Sequence, residues 1–149
     1  MTANRFLALI ALSPAPLLAG CHNQPVAADF TGAWTGQATT INASGSGESS
    51  QYWDLVADPS GRMTGNASYK ISQDQAFTGT NAEGKTVKSD TEQVIGIIDY
   101  DTGKFVLVET VENGTVHGEL LPDGRIKIVR SQPGPDPAVI RTILNRQAP

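Results

Sequence analysis

The sequence predicts an all-β fold: an antiparallel up-and-down meander of about eight strands, closed or nearly closed into a small barrel. Three observations support it. After Asp29 the apolar residues never hold a helical period over a long window; strand-length segments alternate with turn chemistry instead. Those segments follow one another at short spacing, as an antiparallel meander requires. Their number suits closure, which leaves no strand with an unpaired edge. The 149 residues provide for one domain of ordinary size, able to bury a core without disulfides or metals.

In chain order, residues 1–20 read as a leader, 21–28 as a short tether and 29–149 as the barrel. Strands are expected at about 33–41, 51–57, 62–71, 76–80, 86–100, 104–112, 115–121, 125–131 and 138–146. The turns between them are marked by Asp58-Pro59-Ser60-Gly61, Asp101-Thr102-Gly103, Asn113-Gly114 and Pro122-Asp123-Gly124. Each supplies a Gly or Asn where the backbone takes positive φ. Ser44 to Ser50, rich in Gly and Ser, reads as a flexible loop. The 42–50 and 72–86 loops and the Pro-rich 132–137 segment are the exposed places where a binding surface would lie.

Loop length sets the strand registers in the C-terminal half. Asn113-Gly114 as a two-residue type I′ turn pairs Glu112 with Thr115, Val111 with Val116, Glu109 with Gly118 and Leu107 with Leu120. Phe105, Leu107, Val111, Val116 and Leu120 then share the inner face, while Val106, Val108, Glu112, His117 and Glu119 face solvent. Pro122-Asp123-Gly124 as a three-residue loop with a Gly bulge opposes Leu120 to Ile126 and Gly118 to Ile128. A two-residue loop there would set Lys127 against Leu120. This register puts Glu109 and Arg130 on the inner face, able to meet diagonally across Gly118. An inward carboxylate needs an ionic partner or water, so the pair either lines a ligand cavity, with Arg130 available to an anion, or is hydrated at the barrel mouth. A register slip would turn both outward. Because Phe105, Leu107, Leu120, Ile126 and Ile128 fill the inner face and Gly118 is its one gap, a packed interior is also expected.

The leader carries Arg5, an apolar run from Phe6 to Leu12 and then Leu17-Leu18-Ala19-Gly20-Cys21. It has the length and flanks of an export signal and is too short to span a membrane. Leu18-Ala19-Gly20-Cys21 resembles the lipobox of bacterial lipoproteins. That resemblance implies cleavage before Cys21, acylation of its thiol and anchoring in the membrane through the acyl chains. Cys21 is the single cysteine of the chain, and His22 follows it rather than an Asp. The resemblance therefore implies the periplasmic face of the outer membrane in a Gram-negative source. Ordinary signal cleavage nearby, with Cys21 incidental, is the alternative.

Gly32-Ala33-Trp34 at the start of the first strand is similar to the opening of the calycins, the lipocalin and avidin group of ligand-binding barrels. In that group the Trp closes one end of the barrel beneath a basic side chain from the last strand. The resemblance implies that role for Trp34, with Arg141 or Arg146 as its partner. Trp53 is a second core or rim aromatic.

Chemistry is sparsely represented. Without Arg5 the chain has 10 basic against 15 acidic side chains, a balance that argues against a nucleic-acid partner. No catalytic residue, cofactor site or metal site is expected: the histidines are His22 in the tether and His117 on the outer face, and no Ser occupies a nucleophile elbow. His117 with Glu119 and Glu112 would at most make a weak surface site, against the plainer reading of a solvated strand face. The Asn-x-Ser/Thr triplets at Asn42, Asn66 and Asn113 do not suit a lipobox-bearing chain as glycan acceptors. The expected function is binding, either of a small apolar or anionic ligand inside the barrel or of an envelope protein at loops or an exposed strand. An enzyme is the third and least supported reading.

Overall fold

Alternation of inward and outward side chains, the pattern of a half-buried strand, runs through nearly every extended segment of the chain. The computed structural model describes residues 24–43, 45–80, 85–134 and 136–148. The leader, Cys21 and His22 lie outside the described residues. After a single helical turn, α1 (Ala27–Phe30), come the strands β1 (Gly32–Asn42), β2 (Gly45–Ala57), β3 (Arg62–Ile71), β4 (Gly79–Thr80), β5 (Thr86–Val87), β6 (Ser89–Asp99), β7 (Lys104–Glu109), β8 (Thr115–Leu120), β9 (Ile126–Gln132) and β10 (Ala138–Arg146). Eight of them close an antiparallel barrel in the order β1-β10-β9-β8-β7-β6-β3-β2. β4 and β5 form a separate two-stranded ribbon between β3 and β6. Pairing of β1 with β10 completes the ring and removes the free edges of an open sheet.

Of the two registers expected from turn chemistry, one holds and the other does not. Leu121 N–H donates to the Arg125 carbonyl at 2.7 Å, Gly124 takes φ 80°, and Leu120 faces Ile126: the three-residue bulged loop. The Asn113-Gly114 register is corrected. A type I′ turn needs positive φ at both central residues, and here only Asn113 has it, at 58°. The hairpin closes instead from Glu109 N–H to the Gly114 carbonyl at 2.9 Å, around residues 110–113. Leu107 therefore faces Val116 and Phe105 faces Gly118, a slide of β8 by four residues. An even slide keeps each strand's faces unchanged. The loop residues do change: Val111, expected inside, is exposed, and the side chain of Glu112, expected outside, is buried.

The 45–50 segment is also corrected. It is the first half of β2, paired with β1 from Asn42 opposite Gly45 onward. Gly47 has a close neighbour there, since a Cβ on it would lie 2.4 Å from the Phe77 ring.

One end of the barrel is solid. Phe30, Trp34, Trp53, Leu55, Met63 and Phe105 belong to a buried apolar cluster that continues through Leu107, Ile126 and Ile128. Residues 27–30, partly assigned to the tether from the sequence, form the plug of this end. The turn places Phe30 edge-on to Tyr100 and Phe105, with ring centroids 6.0 and 6.1 Å away. Trp34 is fully buried and donates from Nε1 to the Phe30 carbonyl at 3.1 Å. The Arg146 guanidinium stacks on the Trp34 ring, 4.5 Å from its centroid, and donates to the carbonyls of Ala28, Asp29 and Thr31. Arg141 does not share this position: it is exposed on the outer face between Thr39 and Val129.

Candidate functional site: a polar cup at the open end

Followed from the solid end toward the other, the inward side chains change character strand by strand. On β2 they pass from Leu55 and Trp53 to Gln51 and Ser49; on β6 from Ile98 and Val94 to Glu92 and Asp90. On β9 they pass from Ile126 and Ile128 to Arg130 and Gln132, and β7 ends its inward row Phe105, Leu107 with Glu109. At that other end lies a cavity of about 610 Å³ with a mixed lining: Ser49, Gln51, Tyr69, Glu112, Arg130 and Gln132 among its polar residues, Ile71, Val111, Ala138 and Ile140 among its apolar ones. Phe77 and Gly79 contribute to its rim. Lys88 holds the chain at that rim by donating from Nζ to the carbonyls of Ser72, Gln75 and Phe77. Of the two interiors the sequence left open, a ligand cavity and a packed core, the barrel has both, solid at one end and open at the other.

Arg130 lies at the base of the cup with a side chain 2% exposed. Its Nε is 2.5 Å from Glu109 Oε1, although the N–H is not aligned along the contact, so the pair is held by charge more than by a directed hydrogen bond. The same guanidinium donates from Nη2 to Gln132 at 3.5 Å and lies 3.8 Å from Glu112 Oε2. Gln132 in turn donates to that Glu112 oxygen. Gly114 makes the Glu109 position possible, since a Cβ there would sit 1.9 Å from Glu109 Oε2. The gap assigned to Gly118 from the sequence belongs to Gly114. Gly118 is instead covered by the Phe105 ring, 2.1 Å from where a Cβ would be.

The sequence reading missed the acidic wall. Glu92 is 4% exposed, sits across from Ala67, and brings its carboxylate near those of Asp90 and Glu112, one oxygen from each lying within 4.8 Å of the other two. Burial, then the charges of Glu112, Glu109 and Asp90, push the Glu92 pKa up to about 7. Burial also raises Glu109 and Glu112, against the pull of Arg130 in both cases. Tyr69, opposite Asp90, is pushed up to about 12 by burial and by the neighbouring carboxylates. The surface grouping of His117, Glu119 and Glu112 does not form. His117 is exposed on the outer face, Glu119 is bonded to Lys127 at 2.9 Å, and the Glu112 side chain is inside.

These shifts set a pH dependence. Glu92 has a folded pKa above its unfolded value, so between about pH 4.5 and 7 the folded chain binds more protons and stability falls as pH rises. Surface carboxylates such as Asp58, Asp99 and Asp123 shift the opposite way and lose their charge below that window. With chelator present, the melting temperature is expected to drop by a few degrees from pH 5 to pH 8, and Glu92→Gln to flatten the profile. A profile that rises with pH would contradict the assignment.

No protein-family model matches the chain, and no curated protein is similar to it at a significant level.

Proposed function

We propose that this is a lipid-anchored binding protein of the cell envelope, calycin-like in design, that takes a small ligand into the open end of its barrel. The observation that carries this reading is the asymmetry of the interior: solid and apolar at the α1 end, open over about 610 Å³ at the other, where Ile71, Phe77, Val111 and Ile140 stand beside Ser49, Gln51, Arg130 and Gln132. Apolar side chains such as Ile71, Phe77, Val111 and Ile140 offer surface to an apolar part of a ligand, while Ser49, Gln51 and Gln132 offer hydrogen bonds and Arg130, already paired with Glu109 and Glu112, a partly neutralised charge. An anchor at Cys21 suits this arrangement. Gln24 is bonded to Asp101 at the solid end, and three residues span only ~10 Å, so the lipid would hold the solid end to the membrane with the mouth facing the aqueous side.

Both halves of the proposal are testable. Cys21→Ser is expected to move the protein from the membrane to the soluble envelope fraction; continued membrane association sinks the anchor. Ser49→Trp, which fills the cup from β2, is expected to abolish retention of the small molecule that wild-type protein releases on denaturation after gentle purification from its host. Equal release from both proteins places the ligand elsewhere.

A second reading, a protein-interaction module, is favoured by one specific feature. Val56, Ile95, Ile97, Val106 and Val108 are exposed on the outer faces of β2, β6 and β7. Ile95 faces Val108 and Ile97 faces Val106 in register, which makes the patch continuous there. Val106 and Val108 thus face solvent as expected.

A further inference from the structure

We infer that Asp90, Glu92 and Glu112 hold a hard divalent cation of the calcium type on the wall of the cup. The inference rests on the cup being the binding end. One oxygen from each of the three carboxylates lies within 4.8 Å of the other two. Two oxygens on opposite sides of a calcium ion, each at about 2.4 Å, are about 4.8 Å apart, so one ion can reach all three. Asp90 and Glu92 are two residues apart on β6 and project to the same face, while Glu112 comes from the 110–113 loop.

Two observations beyond the clustering point to an occupant. Glu92 is 96% buried yet has neither a hydrogen bond nor an ion pair among the described residues, although it faces the other two carboxylates. Glu112 has a side chain 5% exposed, and its Oε1 is buried without a hydrogen-bond partner. A native fold seldom leaves buried carboxylate oxygens unmatched unless something cationic or a proton meets them. Arg130 meets this need only in part: it pairs with Glu109 and, at 3.8 Å, with Glu112 Oε2, and makes no ion pair with Glu92. The donor set is all oxygen, with no sulfur or imidazole among the described residues of the group, which selects a hard ion over zinc or copper. Calcium fits better than magnesium, because a strand and a loop do not impose a fixed octahedron and the open mouth admits the remaining water ligands.

The test uses the full mature chain carrying Cys21→Ser, stripped with chelator and titrated with calcium chloride by calorimetry, and in parallel with terbium read by luminescence excited through Tyr69. One ion per chain is expected. Glu92→Gln should weaken binding at least tenfold, while Glu119→Gln, on the outer face, should leave it unchanged. Glu92→Gln relieves repulsion, so its unchanged or raised melting temperature excludes misfolding as the cause. Absence of heat and emission in wild type, or equal binding by Glu92→Gln, overturns the site. Loss of the small molecule on filling the cup, together with no calcium binding, removes the cation and leaves the binding reading intact. Calcium binding with the small molecule retained in Ser49→Trp supports the cation and removes the other reading.

Discussion

Replacing Arg130 with methionine is expected to destabilise the barrel by about 3–5 kcal/mol at pH 8, because it leaves Glu109 buried without a countercharge. For a domain of this size that is a fall of more than ten degrees in melting temperature. The loss should shrink toward pH 5, where Glu109, already raised by burial, protonates more readily than it repels. The double variant Glu109→Gln, Arg130→Met should recover most of the loss, since removing both charges also removes the desolvation that the pair has to overcome. Additive losses in denaturant melts would show that Glu109 and Arg130 do not depend on each other.

Trp34→Ala should be comparably severe, at about 3–5 kcal/mol, through the cavity left by a fully buried ring at the solid end. The variant also frees the Phe30 carbonyl and removes the surface on which Arg146 stacks. Arg146→Ala should cost much less, because that side chain is largely exposed and the carbonyls it serves can turn to water. Both variants act far from the cup, so the fraction that remains folded should keep the ligand. A Trp34→Ala protein that melts within about 1 kcal/mol of wild type would mean that the solid end is not the stability centre.

The barrel was legible because its evidence is local: period-two alternation, and turns whose glycines force positive φ, as at Gly124. The meeting of Glu109 with Arg130 was legible for the same reason, since parity decides the face and an even slide of β8 preserves it. What misled was the Asn113-Gly114 dipeptide. It resembles a two-residue turn, yet it ends a four-residue loop, and that difference carries Glu112 from the surface into the cup. The acidic wall was missed although a trace of it is present. On β6 the inward residues run Asp90, Glu92, Val94, Ile98, and on β9 they run Ile126, Ile128, Arg130, so polarity grades along each strand. Scoring strands only for alternation hides such a grade; aligning them around the ring shows that the polar ends coincide. The plug formed by residues 27–30 was invisible for a different reason. A single turn has no periodicity to detect, and it is held by Arg146 and by packing of Phe30, contacts remote in sequence.

The most direct test of a binding cup is a two-dimensional amide spectrum of the mature chain, isotope-labelled and titrated with the small-molecule fraction of its host's envelope. Shifts are expected at Thr40, Ser49, Gln51, Gly79 and Gln132, with Leu55, Leu107 and Ile128 unmoved. Shifts confined to Ile95, Ile97, Val106 and Val108 on the outer face, or none around the cup, would contradict the account and turn attention to a protein partner.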